Sequence, residues 1–192
     1  MLKHFGTSVR ITIVSVILFG LIYPFAMTGA AQVLFPSQAN GSLVSDGGRV
    51  VGSRIIGELW TKPGDFQGRP SAAGKNGYDP TSTGGTNYGP TSKKLMDATK
   101  ATLIALRRAN PDATVPVPID LITSSASGID PDISPDAAYF QVPRVAKARG
   151  LSIADVDALV RRSIQGRTFG VLGEPRVNVL ELNLALDAMT SR

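Results

Sequence analysis

A chain of 192 residues, 43% hydrophobic and 18% charged, has globular composition and room for one folded domain plus an anchor, not for a large multi-domain enzyme. The absence of cysteine excludes disulfides, thiolate nucleophiles, Cys-bound zinc and iron–sulfur clusters, and one histidine, His4, leaves imidazole chemistry a single position. Twenty Lys and Arg against 15 Asp and Glu give a net charge of +5, scattered along the chain, which implies no nucleic-acid partner.

Charge is absent between Arg10 and Asp46, and Ile11 to Leu34 is mostly Ile, Val, Leu, Phe and Ala. As a helix these residues rise about 36 Å, enough to cross a hydrocarbon core of about 30 Å. Lys3 and Arg10 precede the run, and no basic residue follows until Arg49. The positive-inside rule then predicts a cytoplasmic segment 1–10, a transmembrane helix 11–34 and an extracytoplasmic domain 35–192. A cleaved signal peptide with Thr28-Gly29-Ala30 as its processing site accounts for the same stretch and exports the same domain. Inside the span, Pro24 frees a backbone carbonyl and should kink the helix, while Tyr23 offers a hydroxyl to a neighbouring helix.

Beyond the span, Gly47-Gly48 reads as a turn and Arg49 to Ile56 as a strand. Residues 61–92 carry seven Gly and four Pro and predict neither helix nor sheet. Such a segment reads either as a mobile insertion or as a binding loop; in the second reading Arg69 and Asn87 are partner-contact candidates, Arg69 being equally a structural hydrogen-bond donor within its own loop. Thr91 or Ser92 can cap a helix running to about Arg108, with Leu95, Met96, Leu103 and Leu106 as its apolar stripe. Ser134-Pro135 opens another, closed by Gly150 and expected to kink or break at Pro143. Ser152 with Asp155, stapled by Leu151 and Val156, starts a third whose apolar face is Ile153, Val156, Val160 and Ile164. The leucines at 180, 182, 184 and 186 alternate as in a strand, but Asn178 and Glu181 form a cap pair that favours helix. The fold class is therefore mixed α/β, with one N-terminal transmembrane helix.

Chemical motifs are sparse. Gly84 and Gly89 have the spacing of a phosphate-binding loop, and Thr91 supplies the hydroxyl residue, but Pro90 stands where the phosphate-contacting Lys is required. Asp130, Asp132 and Asp136 lack the glycine and closing glutamate of a calcium loop, so no metal site is expected. Ser124 to Gly128 reads either as an anion-binding nest or as a polar loop.

Several unusual strings occur together: Tyr23-Pro24 in the span, F-Q-G-R-P-S-A at 66–72, and G-T-N-Y-G-P-T at 85–91. They continue with P-V-P-I-D-L-I-T-S-S-A-S-G-I-D-P-D-I-S-P at 116–135, Q-V-P-R-V-A-K-A-R-G at 141–150, and a C-terminal stretch from Gly173 to Asp187. In that order they resemble the C subunit of the Kdp-type potassium-transporting P-type ATPase. The resemblance implies a non-catalytic subunit of a bacterial inner-membrane potassium uptake pump, needed for assembly and activity. The implied partners are a channel-like potassium-binding subunit, a P-type ATP-hydrolysing subunit and a small single-span subunit. ATP is then used by a partner and potassium is the transported ion, with no cofactor bound by this chain. The family's proposed nucleotide contacts fall on Ser125, Ser127 and Gly128. An anchored or secreted external binding module, or a hydrolase using carboxylate or Ser–Lys chemistry, is the alternative from the residues themselves.

Overall fold

The computed structural model describes residues 2–190, with side chains from His4 onward. The chain divides into two compact units, with the boundary between Val50 and Val51.

The first unit begins with a continuous helix: α1 (Leu2–Ser15), a π-helical stretch (Val16–Ile22) and α2 (Tyr23–Leu34). Its 31 residues from His4 to Leu34 include an 18-residue window of mean hydropathy 2.1, so this helix is long and apolar enough to span a bilayer. Helix extends further toward the N-terminus than the apolar run alone predicts. The predicted distortion at Pro24 takes a definite form. Proline's ring crowds the carbonyl four residues back, at Gly20, and cannot donate to it. The preceding turns widen instead, and the Tyr23 N–H donates five residues back to the Leu18 carbonyl. A short α3 (Pro36–Ala39) follows, then β1 (Leu43–Asp46) and β2 (Arg49–Ser53) as a two-stranded sheet, with the unit boundary falling inside β2. Their turn has positive φ at both Gly47 and Gly48, as a tight hairpin requires.

In the second unit, α4 (Lys93–Ala109), α5 (Pro135–Arg149), α6 (Ile153–Ser163) and α7 (Val179–Thr190) accompany a three-stranded antiparallel sheet. Its order is β3 (Asp132–Ile133), β5 (Arg176–Asn178), β4 (Ile164–Gln165), with Val177 opposite both Ile133 and Ile164. The strands are short because the core is built mainly by helices. Phe140 and Val145 of α5, Val156 and Val160 of α6, and Leu182 and Leu186 of α7 close around Val177 and Ile133.

The predicted caps are present. Ser134 Oγ accepts from the Ala137 N–H at 3.1 Å, Ser152 Oγ from Asp155 N–H at 3.1 Å, and Asn178 Oδ1 from Glu181 N–H at 3.1 Å. At the end of α5, Gly150 is left-handed and Leu151 N–H returns to the Ala146 carbonyl at 3.0 Å, a Schellman closure. Two expectations differ. Of the kink or break expected at Pro143, the break does not occur: α5 runs through the missing hydrogen bond, with eight buried side chains holding it against its neighbours. Ile153 is 59% exposed rather than on the buried face, since the first turn of α6 precedes its contact with the core.

Candidate functional site

The 61–92 segment has no helix or strand, as predicted, yet it is built into the second unit by its own backbone. Phe66 is fully buried, and both its backbone groups meet the Asn183 amide: N–H to Oδ1 at 2.8 Å, and carbonyl from Nδ2 at 2.9 Å. Gln67 is held the same way by Gln141, at 2.8 and 3.0 Å. Two side-chain amides thus replace a neighbouring strand, satisfying peptide groups that burial would otherwise leave unpaired.

Arg144, one turn beyond Gln141 on α5, binds the Pro63 carbonyl, the Asp65 carbonyl at 3.1 Å, Gln141 Oε1 at 2.6 Å and Asn110 Oδ1 at 2.9 Å. Burial pushes its pKa down to about 10, which leaves it protonated at neutral pH. Arg149 adds the Gly64 carbonyl at 2.7 Å and ion pairs to Asp65 and Asp187, each at 2.6 Å. Gln141, Arg144 and Arg149 of α5 thus hold residues 63–65 and 67, while Asn183 of α7 holds Phe66 between them.

The next part of the loop joins the serine–glycine segment. Arg69 Nη1 pairs with Asp130 at 2.9 Å, and Tyr78 O–H donates to the Arg69 carbonyl at 2.6 Å. Burial chiefly, helped by the Asp130 charge and opposed by Arg69, pushes the Tyr78 phenol up to about 12. Ser71 Oγ donates to the Gly128 carbonyl at 2.5 Å and accepts from the Tyr78 N–H at 2.7 Å. Gly84 N–H donates to the Ser127 carbonyl at 2.9 Å, and Ser125 N–H to the Pro70 carbonyl at 3.2 Å. Ser125 is buried, and its hydroxyl accepts from Gly128 N–H at 2.8 Å and lies 3.1 Å from the Ser127 hydroxyl. Gly128 has φ +73°, and a Cβ there would stand 2.6 Å from the Ala73 Cβ.

The structure therefore brings Arg69, Ser125, Ser127 and Gly128 into one network. Asn87 lies apart from it, exposed and in left-handed backbone. Tyr23 and Pro24 belong to the other unit, on the apolar helix, where Tyr23 is 56% exposed. Sequence reasoning missed Gln141, Asn183 and Arg144, and it missed Asp130 as the partner of Arg69. The available signal was a polar residue inside an otherwise apolar helical face, as at Asn183 between Leu182 and Leu186.

The hydroxyls of Ser71 and Ser125 are engaged by backbone groups, an arrangement that fixes a surface and activates no nucleophile. Among the described residues no group of three or more His, Cys, Asp or Glu stands close enough to hold a metal ion. A groove of about 460 Å³ runs beside the network, bordered by Trp60, Arg69, Tyr78 and the α4 residues Thr102 and Leu106.

Residues 5–188 match the family model described as KdpC, K+-transporting ATPase, c chain. The chain is 56% identical over 188 residues to a potassium-transporting ATPase KdpC subunit of Myxococcus xanthus, covering 97% of this chain and 89% of that one. A KdpC subunit of Koribacter versatilis is 53% identical, over 97% of this chain and 95% of the relative. One from Methylococcus capsulatus is 49% identical, over 98% and 100%. With the family model spanning almost its whole length, the chain belongs to the KdpC family, the c chain of K+-transporting ATPases.

Proposed function

We propose that this chain is a non-catalytic, single-pass subunit of an ATP-driven potassium uptake pump, needed for assembly of the complex. Its helix packs on partner spans, and its second unit sits on the extracytoplasmic side against the channel-like subunit. A P-type subunit hydrolyses ATP and a small single-span subunit completes the complex, so this chain binds no nucleotide of its own. The observation that carries the proposal is the family match over residues 5–188 together with the 31-residue apolar helix.

Within the span, the widened turn before Pro24 leaves carbonyls for a neighbouring helix, and Tyr23 supplies a donor. In the second unit, the clamped 61–92 loop presents Asn87 to the outer mouth of the channel-like subunit. Arg69 serves by shaping the loop through Asp130. Ser125 and Gly128 have the same structural role, which argues against a nucleotide contact there.

Two measurements test this. Deleting residues 2–34 should abolish co-purification with the two large membrane subunits, and retention would refute the role given to the helix. Protease added to intact spheroplasts should digest the second unit, and protection there with digestion in inside-out vesicles would reverse the orientation.

A further inference from the structure

Between β4 and β5 the chain makes a hairpin whose tip is unusual. Every residue from 165 to 174 is exposed, so nothing in its own unit covers it. The tip nevertheless consists of Phe169, Gly170, Val171, Leu172 and Gly173, with the three large side chains 88%, 71% and 58% exposed. Scattered exposed apolar residues are ordinary, but three packed into five positions at a protruding end are not.

The tip is also preformed. Thr168 and Leu172 exchange both backbone hydrogen bonds at 2.9 Å, and Val171 N–H adds one to the Thr168 carbonyl at 3.2 Å. Phe169 sits at φ +54°, a conformation unfavourable for a bulky residue and held here by those bonds. Immediately below, Arg167 and Glu174 pair at 2.6 Å, forming a polar collar beneath an apolar cap.

We propose that Phe169, Val171 and Leu172 insert into the surface of a lipid bilayer, giving the second unit a membrane contact separate from the spanning helix. The chemistry selects lipid over a protein pocket. A convex cap of Phe, Val, Leu and Gly has no side-chain hydrogen-bonding group to fix an orientation, and a fluid apolar phase demands none. The Arg167–Glu174 pair flanking the tip is net neutral, so it brings no excess charge to the bilayer surface. The proposal rests on the membrane-spanning character of the first helix, which brings a bilayer to every copy of the chain.

The chain has no cysteine, so Val171→Cys introduces a unique label site on an already exposed side chain. The full-length variant, carrying an environment-sensitive fluorophore, is reconstituted alone into phosphatidylethanolamine–phosphatidylglycerol vesicles. The expected result is a blue-shifted emission that lipids spin-labelled in their acyl chains quench, with quenching lost in Phe169→Ser/Leu172→Ser. A Lys94→Cys label on α4 should stay unquenched. Unshifted emission, a blue shift that lipid quenchers leave untouched (burial against protein), or equal quenching at position 94 would each overturn the proposal. No partner subunit is present, so failure here is read independently of the assembly assay.

Discussion

Tyr78 shows how one buried hydrogen bond becomes a pH dependence. Its phenol must stay protonated to donate to the Arg69 carbonyl, and its pKa is raised from an ordinary 10.0 to about 12. Between those values the unfolded chain has released a proton that the folded chain keeps. Stability is therefore fully present below the unfolded value and falls as pH rises through the window. Tyr78→Phe should remove that part of the alkaline slope. Urea midpoints measured at about pH 9 and about pH 11 check this: the loss between them should be smaller in the variant. Asn183 makes a different point. Asn183→Leu keeps the volume roughly but strands the N–H and carbonyl of buried Phe66, a cost of about 2–4 kcal/mol. Denaturant unfolding should show that loss, whereas exposed Lys94→Ala should change stability by less than about 0.5 kcal/mol.

Among the elements, what was legible in the sequence is what local chemistry decides. Ser134, Ser152 and Asn178 announce their helices because a capping oxygen and the backbone N–H it accepts from lie three residues apart. The anchoring of the 61–92 loop was not legible, because Phe66 meets Asn183 across 117 positions and Gln67 meets Gln141 across 74. Its composition revealed only that no regular structure forms. Likewise Arg69 stood out as a charged residue in a glycine-rich loop, while its partner Asp130, 61 residues on, read only as one of the carboxylates that make no calcium loop. Helix α4 separates pattern from packing. Its stripe was recognisable, yet none of its 17 residues is buried, and Met96 and Ile104 are half-exposed or more. Local opening should therefore cost less in α4 than in α5, which buries eight. Hydrogen exchange on the intact chain should show α4 amides exchanging well before those of 137–146, and equal protection would mean that α4 is held by contacts other than burial.

For the whole molecule, the division into units makes a statement about folding that can be separated from one about assembly. Every buried residue of the hydrophobic core, from Phe66 to Leu186, lies in the second unit, and the loop clamps, the serine–glycine network and the three-stranded sheet lie there too. The apolar helix contributes none of them, and none of its most hydrophobic window is buried. Its free energy in water is unfavourable and is relieved by lipid or by partner helices, not by its own chain. A chain beginning at Val51 should then be water-soluble and unfold in a single cooperative transition, with the Tyr78 slope and the Asn183→Leu penalty intact. Circular dichroism and urea titration of that fragment check this. A fragment that is collapsed but non-cooperative would mean that the first unit supports the fold, and loss of co-purification on truncation would then report misfolding. A cooperative fragment that no longer joins the complex instead assigns that loss to the missing helix.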